Sequence, residues 1–86
     1  MKIEFTNHAR EKFIILRQHN FVIEETDVTQ AILQPSKVEA SRKNRFVSEK
    51  AIDETHLLRV IYETIEDRIV VITFYPAKRC RYEDKL

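Results

Sequence analysis

A cluster of cations and a phenol lies close to the C-terminus of the chain. Lys78, Arg79, Arg81 and Tyr82 fall within five positions, directly after an apolar run that ends at Tyr75-Pro76. Ammonium and guanidinium groups stabilise the negative charge of a phosphate, and a phenol can transfer a proton or stack on a nucleobase. A solvated basic tail has the same composition. The cluster therefore indicates either a phosphate-directed site or an ordinary tail.

Two further polar residues stand at the start of an apolar-periodic segment. His8 and Arg10 follow Thr6 and Asn7, which are both residue types that cap helices. A histidine at the positive end of a helix dipole is suited to act as a neutral base or a phosphate contact. The alternative is that His8 packs or hydrogen-bonds to hold the helix on a sheet.

Arg59 interrupts an otherwise apolar stretch, Leu57 to Tyr62. An arginine within such a strand must lie on a solvated face, pair with an acid or line a concave site, because an unpaired buried charge is costly. If the C-terminal segment crosses the neighbouring strand, Arg59 and the cations of residues 78–82 meet at one end of the sheet.

Several kinds of chemistry are not indicated by the composition. The chain has no glycine, so a glycine-rich phosphate loop is excluded. Its three histidines are scattered and its one cysteine, Cys80, has no partner, so we expect no metal site and no cofactor. We also expect no membrane span, because no apolar segment approaches about 20 residues. With no signal-peptide core at the N-terminus and a lone cysteine, a cytoplasmic location is expected.

The length of 86 residues predicts a single domain over residues 1–86. A chain this short buries only roughly 60% of its unfolded surface, so a partner or a homodimer would add stability. The net charge is only +1, but residues 37–50 carry five cations against two acids. This segment, with Arg42, Lys43 and Arg45, is a candidate for local contact with an anion.

The hydrophobic periodicity predicts an α+β fold. Residues 7–19 have helical spacing, and a second helix begins at the acidic residues 24–27 and ends near Gln34 because Pro35 follows. From residue 37 the period changes towards two, which predicts strands at 38–40, 45–52, 57–65 and 68–75, with residues 2–5 as a short edge strand. Without glycine we expect loops longer than two residues, with Asn44 and Asp67 at any positive φ. The expected architecture is two N-terminal helices packed on a twisted, mainly antiparallel four-stranded sheet.

These segments together resemble a known family. The chain is similar to a small bacterial and archaeal domain family of unknown function. The similarity lies in the pattern Asn7-His8-Ala9-Arg10, the acidic helix that ends at Pro35, and the strands at residues 58–63 and 70–76. That family is grouped with the RelE/ParE-like toxins of toxin–antitoxin systems. The resemblance spans nearly the whole chain. It implies helices packed on a twisted antiparallel sheet, and either messenger RNA cleavage (RelE type) or action on gyrase (ParE type).

The resemblance implies a metal-independent mRNA endoribonuclease, the toxin of a type II toxin–antitoxin system, with RNA or the ribosome and a cognate antitoxin as partners. In such cleavage the ribose 2′-OH attacks the adjacent phosphorus, a base accepts its proton and cations stabilise the phosphorane. The expected catalytic residues are His8 or Lys78 as base, Tyr82 as proton donor or stacking platform, and Arg59 and Arg81 as charge clamp. The expected substrate-binding residues are Arg10, Arg42, Lys43, Arg45 and Arg79.

Other functions stay open on the sequence. The same cationic groove would suit a non-catalytic module that binds RNA or an acidic or apolar peptide, a ParE-like gyrase inhibitor, or a stand-alone structural domain. Cleavage of RNA would distinguish the endoribonuclease from the other functions. DNA damage would distinguish the gyrase inhibitor from a binding module.

Overall fold

The structure, a computed structural model, describes residues 2–79. Its elements in chain order are β1 (Lys2–Phe5), α1 (Asn7–Gln18), α2 (Glu25–Leu33), β2 (Lys37–Arg42), β3 (Arg45–Ala51), β4 (His56–Ile65) and β5 (Arg68–Lys78). The strands form one sheet in the order β1-β5-β4-β3-β2. Neither of the two described helices has the length and apolar composition needed to cross a membrane.

The predicted four-stranded sheet is wrong, because the sheet has five strands and is mixed. β1 pairs in parallel with β5, from Lys2 opposite Arg68 to Phe5 opposite Val71, whereas the other neighbours are antiparallel. The helices therefore follow a strand and connect the two edges of the sheet. Ile3 and Phe5 pack against the core, which explains why so short a segment pairs. No local turn marks this pairing, since its partner lies more than 60 residues away.

The core lies between the two helices and one face of the sheet. Because strand residues alternate between faces, Leu58, Val60 and Tyr62 of β4 point to the helices. They are buried with residues from both helices and from β5: Ala9, Leu16, Val28, Ala31, Ile32, Ile69, Val71 and Phe74. Arg59 consequently lies on the opposite face of the sheet.

Thr6 joins the start of α1 to β5. Its Oγ1 accepts a hydrogen bond from the Ala9 backbone N–H at 3.1 Å and donates one to the Ile72 carbonyl at 3.1 Å. Its own backbone N–H donates to the Val71 carbonyl at 3.1 Å. One residue therefore caps the helix and fixes its first turn, which carries His8, against the sheet.

The two hairpin turns are tighter than expected. Two-residue turns, 43–44 and 66–67, connect β2 to β3 and β4 to β5. The predicted positive φ at Asn44 is confirmed, at 63°, but the second lies at Glu66, at 57°, and not at Asp67. Asparagine tolerates the left-handed conformation better than most residues with a side chain, which explains the first turn without glycine; the second turn holds Glu66 in that conformation instead.

Replacing Thr6 with alanine should lower the free energy of unfolding by about 1–2 kcal/mol, because the cap and the bond to Ile72 are both lost. The measurement is urea denaturation followed by circular dichroism. Thr26→Ala is the matched control, since Thr26 is exposed in the first turn of α2 and should change stability by less than about 0.5 kcal/mol. Equal effects of the two substitutions would contradict the role of Thr6.

Candidate functional site

The predicted site residues lie in separate parts of the sheet. The register places Arg45 opposite Glu63 and Lys78 opposite His56, at the two ends of β4. Seven residues of strand span roughly 23 Å. The structure therefore does not bring the basic segment at residues 42–45 together with Lys78 and Arg79.

The β2–β3 turn region carries three cations that differ in their contacts. Arg42 and Lys43 are exposed, and neither makes an ion pair with another described residue. Arg45 donates from Nε and Nη2 to one oxygen, Oε2, of Glu63, at 2.9 and 2.6 Å. Only Arg42 and Lys43 therefore have side chains available to an anion from this turn.

Arg59 lies in the middle of the sheet face that points away from the helices. Its Nη1 donates to Glu49 Oε2 on β3, and its Nε donates to the Tyr75 hydroxyl on β5 at 3.0 Å. The side chains of Arg59 and Glu49 are only 14% and 8% exposed. Of the three placements that the sequence leaves open for Arg59, the structure shows pairing with an acid.

His8 and Arg10 lie in the first turn of α1, where His8 stands beside the part of β5 that extends beyond its pairing with β1. His8 Nε2 is 3.2 Å from the Thr73 hydroxyl, and Arg10 is exposed with its guanidinium 5.9 Å from the ring centroid of Phe5. Thr73 precedes Lys78 by five residues, which is roughly 16 Å along a strand. His8 therefore holds the start of α1 beside β5, away from Lys78.

A cavity of about 450 Å³ lies at the end of β4 and β5, and we call it the end cavity. Glu54, Thr55, His56, Lys78 and Arg79 line it. Its volume falls in the range of small-ligand sites. Lys78 is exposed and makes no ion pair with any other residue in the described range, and it lies directly opposite His56.

Arg79 closes one side of the end cavity by holding a loop. Its backbone N–H donates to the Thr55 carbonyl at 2.9 Å, and its Nη1 donates to the Asp53 carbonyl at 3.3 Å. The loop between β3 and β4 is therefore attached to the end of β5. Arg59 does not line this cavity, because it is three residues from His56 and so points to the other face.

Asp53 organises the loop around His56. One carboxylate oxygen, Oδ1, accepts the backbone N–H groups of Thr55 and His56 at 2.8 and 2.7 Å. The same oxygen is 3.2 Å from His56 Nδ1. The hydrogen bond from the Thr55 N–H is the main reason that the pKa of Asp53 is lowered from its ordinary 3.8. Desolvation raises the pKa by less, and further hydrogen bonds from His56 and from the Thr55 hydroxyl lower it again.

The sequence prediction did not include Asp53, Thr55 or His56. The Asp53-x-Thr55 pattern at the end of a strand is typical of an Asx-turn, so this signal was present. No sequence signal placed this turn next to Lys78, because that neighbourhood depends on the register between β4 and β5. The predicted residues Arg81 and Tyr82 lie outside the described residues.

No metal centre is found within residues 2–79, where no three histidine, cysteine, aspartate or glutamate side chains are grouped to hold an ion. Comparisons with protein-family models, with curated proteins and with solved structures find no match for this chain. The geometry of the described residues therefore carries the functional argument.

Replacing Arg59 with alanine should cost about 3–5 kcal/mol of stability, because Glu49 stays buried without the cation that compensates it. Arg68→Ala is the control: the Arg68–Glu4 pair is partly exposed, and its loss should cost less than about 1 kcal/mol. Chemical denaturation of both variants tests the difference. The double variant Glu49→Leu/Arg59→Met should recover most of the loss, and a double variant as unstable as Arg59→Ala would argue against a buried-charge penalty.

The lowered pKa of Asp53 predicts a pH-dependent contribution to stability. The contribution is present above about pH 4, where the unfolded carboxyl is also ionised, and is lost as the pH falls towards the lower folded pKa. Thermal melting between pH 6 and pH 2.5 should therefore show a steeper loss for the wild type than for Asp53→Asn, which does not titrate. Parallel curves for the two proteins would refute this assignment.

Proposed function

We propose that the chain is a metal-independent endoribonuclease, a RelE-like toxin of a type II toxin–antitoxin system, that acts on messenger RNA in the cytoplasm. The observation that supports this most is the end cavity, in which Lys78 and Arg79 stand beside the Thr55 hydroxyl and the His56 imidazole. These groups suit the recognition of an RNA phosphodiester: the cations attract its charge, and the imidazole can accept a hydrogen bond from a ribose hydroxyl.

Lys78 is the cation best placed to hold the scissile phosphate. It is exposed at the end of β5 and makes no ion pair with a carboxylate among residues 2–79, although Glu54 also lines the cavity. Arg79 contributes its positive charge to the same cavity while its side chain holds the Asp53–Thr55 loop. A phosphate bound there gains charge as the phosphorane forms, so a fixed cation stabilises the transition state more than the ground state.

The basic turn at residues 42–45 suits a second, sequence-independent contact with the RNA backbone. Arg42 and Lys43 are exposed and lie roughly 23 Å from the end cavity along β4. Contacts of this kind add affinity that falls with salt concentration, without determining where the strand is cut.

Cleavage of a defined messenger RNA by the purified protein tests the proposal. With EDTA present, and with ribosomes added or omitted, we expect discrete fragments that end in 2′,3′-cyclic phosphate and 5′-hydroxyl groups. Lys78→Ala should lower the cleavage rate by about 10-fold or more, since a charged hydrogen bond contributes about 1.5–3 kcal/mol. Lys12→Ala, which removes the same charge from α1, should leave the rate unchanged.

A non-catalytic RNA-binding module is the second candidate. The observation that favours it is that Arg59 and Arg45, two predicted substrate-directed cations, already pair with Glu49 and Glu63. Binding without cleavage, and no growth arrest on expression, would select this candidate and refute the nuclease. Intact RNA together with DNA damage would instead select a gyrase inhibitor.

The proposed function as a toxin implies a protein partner. A cognate antitoxin would be encoded by a small neighbouring reading frame for a DNA-binding protein. A second copy of the chain is a further proposed partner, because the core of so small a domain is modest. Co-expression with the neighbouring gene should relieve any growth arrest that the chain causes alone.

A further inference from the structure

We propose that His56 is the general base of the cleavage reaction, with Asp53 as its positioning residue; this inference rests on the proposed nuclease function. The end cavity is then a complete site for attack of a ribose 2′-OH on the adjacent phosphodiester. Neither residue belongs to the set that the sequence predicts.

The hydrogen bonds around His56 select one tautomer. Nδ1 lies 2.9 Å from the Thr55 hydroxyl oxygen and 3.2 Å from Asp53 Oδ1. The Thr55 hydroxyl donates its proton to Asp53 at 3.1 Å, and the carboxylate has no proton to give. Both neighbours therefore accept, so Nδ1 carries the proton and Nε2 presents its lone pair.

The ring of His56 is held in place but is not sealed off. Its side chain is 24% exposed, and Phe21 packs edge-on against it with ring centroids 5.0 Å apart. Within the described part of the chain Nε2 makes no hydrogen bond. A base needs this combination of a fixed ring, a free lone pair and access to substrate.

The cations stand on the same end of the sheet as this base. Lys78 is the direct cross-strand neighbour of His56, and Cβ atoms of such pairs lie about 4.5–5.5 Å apart. The backbone N–H of Arg79 donates a hydrogen bond to the carbonyl of Thr55, the residue that precedes His56. A phosphodiester on Lys78 therefore brings its ribose within reach of the imidazole.

The proposed cleavage step needs only the His56 imidazole and one water molecule for its proton transfers. His56 Nε2 accepts the proton of the 2′-OH while the 2′-oxygen forms a bond to phosphorus. The bond between phosphorus and the 5′-oxygen breaks, which leaves a 2′,3′-cyclic phosphate. The imidazolium returns the same proton to the departing 5′-oxygen through a water molecule, and the neutral base is regenerated. Asp53 stabilises the imidazolium between the two transfers.

The other two candidate bases are less well placed. His8 Nε2 is engaged with Thr73, roughly 16 Å along β5 from Lys78. Lys78 is the cation assigned to the phosphate, and an ammonium group that holds the phosphate cannot also accept the proton of the 2′-OH.

The test compares His56→Gln with His19→Gln, the same change at an exposed histidine that follows α1. We expect His56→Gln to lower the cleavage rate about 10²–10⁴-fold and to bind RNA with 2′-O-methyl groups within about threefold of wild type. His19→Gln should cleave as wild type does. Asp53→Asn should lower kcat for cleavage about 10-fold with KM within about threefold of wild type, because the imidazolium loses its neighbouring anion while the cations that bind the phosphate remain.

A second variant separates the chemical role from a structural one. His56→Ala should regain part of its cleavage rate when free imidazole is added, which a merely destabilised variant would not do. If both variants fail to fold, the imidazole NMR signals of wild-type His56 should shift on addition of an uncleavable 2′-deoxy dinucleotide. Absence of that shift would overturn the inference.

The outcomes distinguish this inference from the proposed function. A wild-type protein that cleaves RNA together with an equally active His56→Gln overturns the role of His56 and leaves the nuclease standing. Loss of RNA binding along with cleavage in His56→Gln assigns the residue to binding and overturns its role as base. A wild type that never cleaves RNA overturns both proposals.

Discussion

The buried pair of Arg59 with Glu49, joined by the Tyr75 hydroxyl, fixes the register of the three central strands. Glu49, Arg59 and Tyr75 lie directly opposite one another on β3, β4 and β5. A slip of one residue would turn Arg59 towards the helices and into the apolar core, where its charge would be uncompensated. Both ends of the sheet inherit this register, including the opposition of His56 and Lys78 that forms the end cavity.

Some of the cations on the sheet form ion pairs with carboxylates, and others do not. Arg45 and Arg59 each meet a carboxylate on the neighbouring strand, so their charges contribute to the sheet more than to an external field. Arg42, Lys43 and Lys78 have no such partner within residues 2–79, and they stand at opposite ends of β4. These three cations without ion pairs therefore lie at two separate ends of the sheet, which suits contact with an extended anion better than with a compact one.

Local signals determine how much of this fold the sequence could predict. Thr6 and Pro35 bound the helices to within about one residue, and Asn44 marks a turn by its tolerance of positive φ. Two features of the fold, the parallel pairing of β1 and the end cavity, depend on residues far apart in the chain, and no local sequence signal predicts them. The parallel pairing of β1 joins residues far apart in the chain. The end cavity requires the register of β5, which no single segment specifies.

That register depends on one extra residue in β5. Tyr62 pairs with Val71 but Ile61 pairs with Thr73, so Ile72 has no partner on β4. Without this bulge Phe74 would face Arg59, and Ala77 would face His56. The bulge instead brings Tyr75 to the guanidinium and Lys78 to the imidazole, while Phe74 stays in the core.

Thr6 binds at this same bulge, since its hydroxyl donates to the Ile72 carbonyl. The residue that caps α1 therefore also engages the irregularity that places the cation beside the histidine. The start of α1 is therefore connected to the end cavity through the backbone of the β5 bulge. This connection explains how a chain without glycine can form the candidate site from the start of β4 and the end of β5.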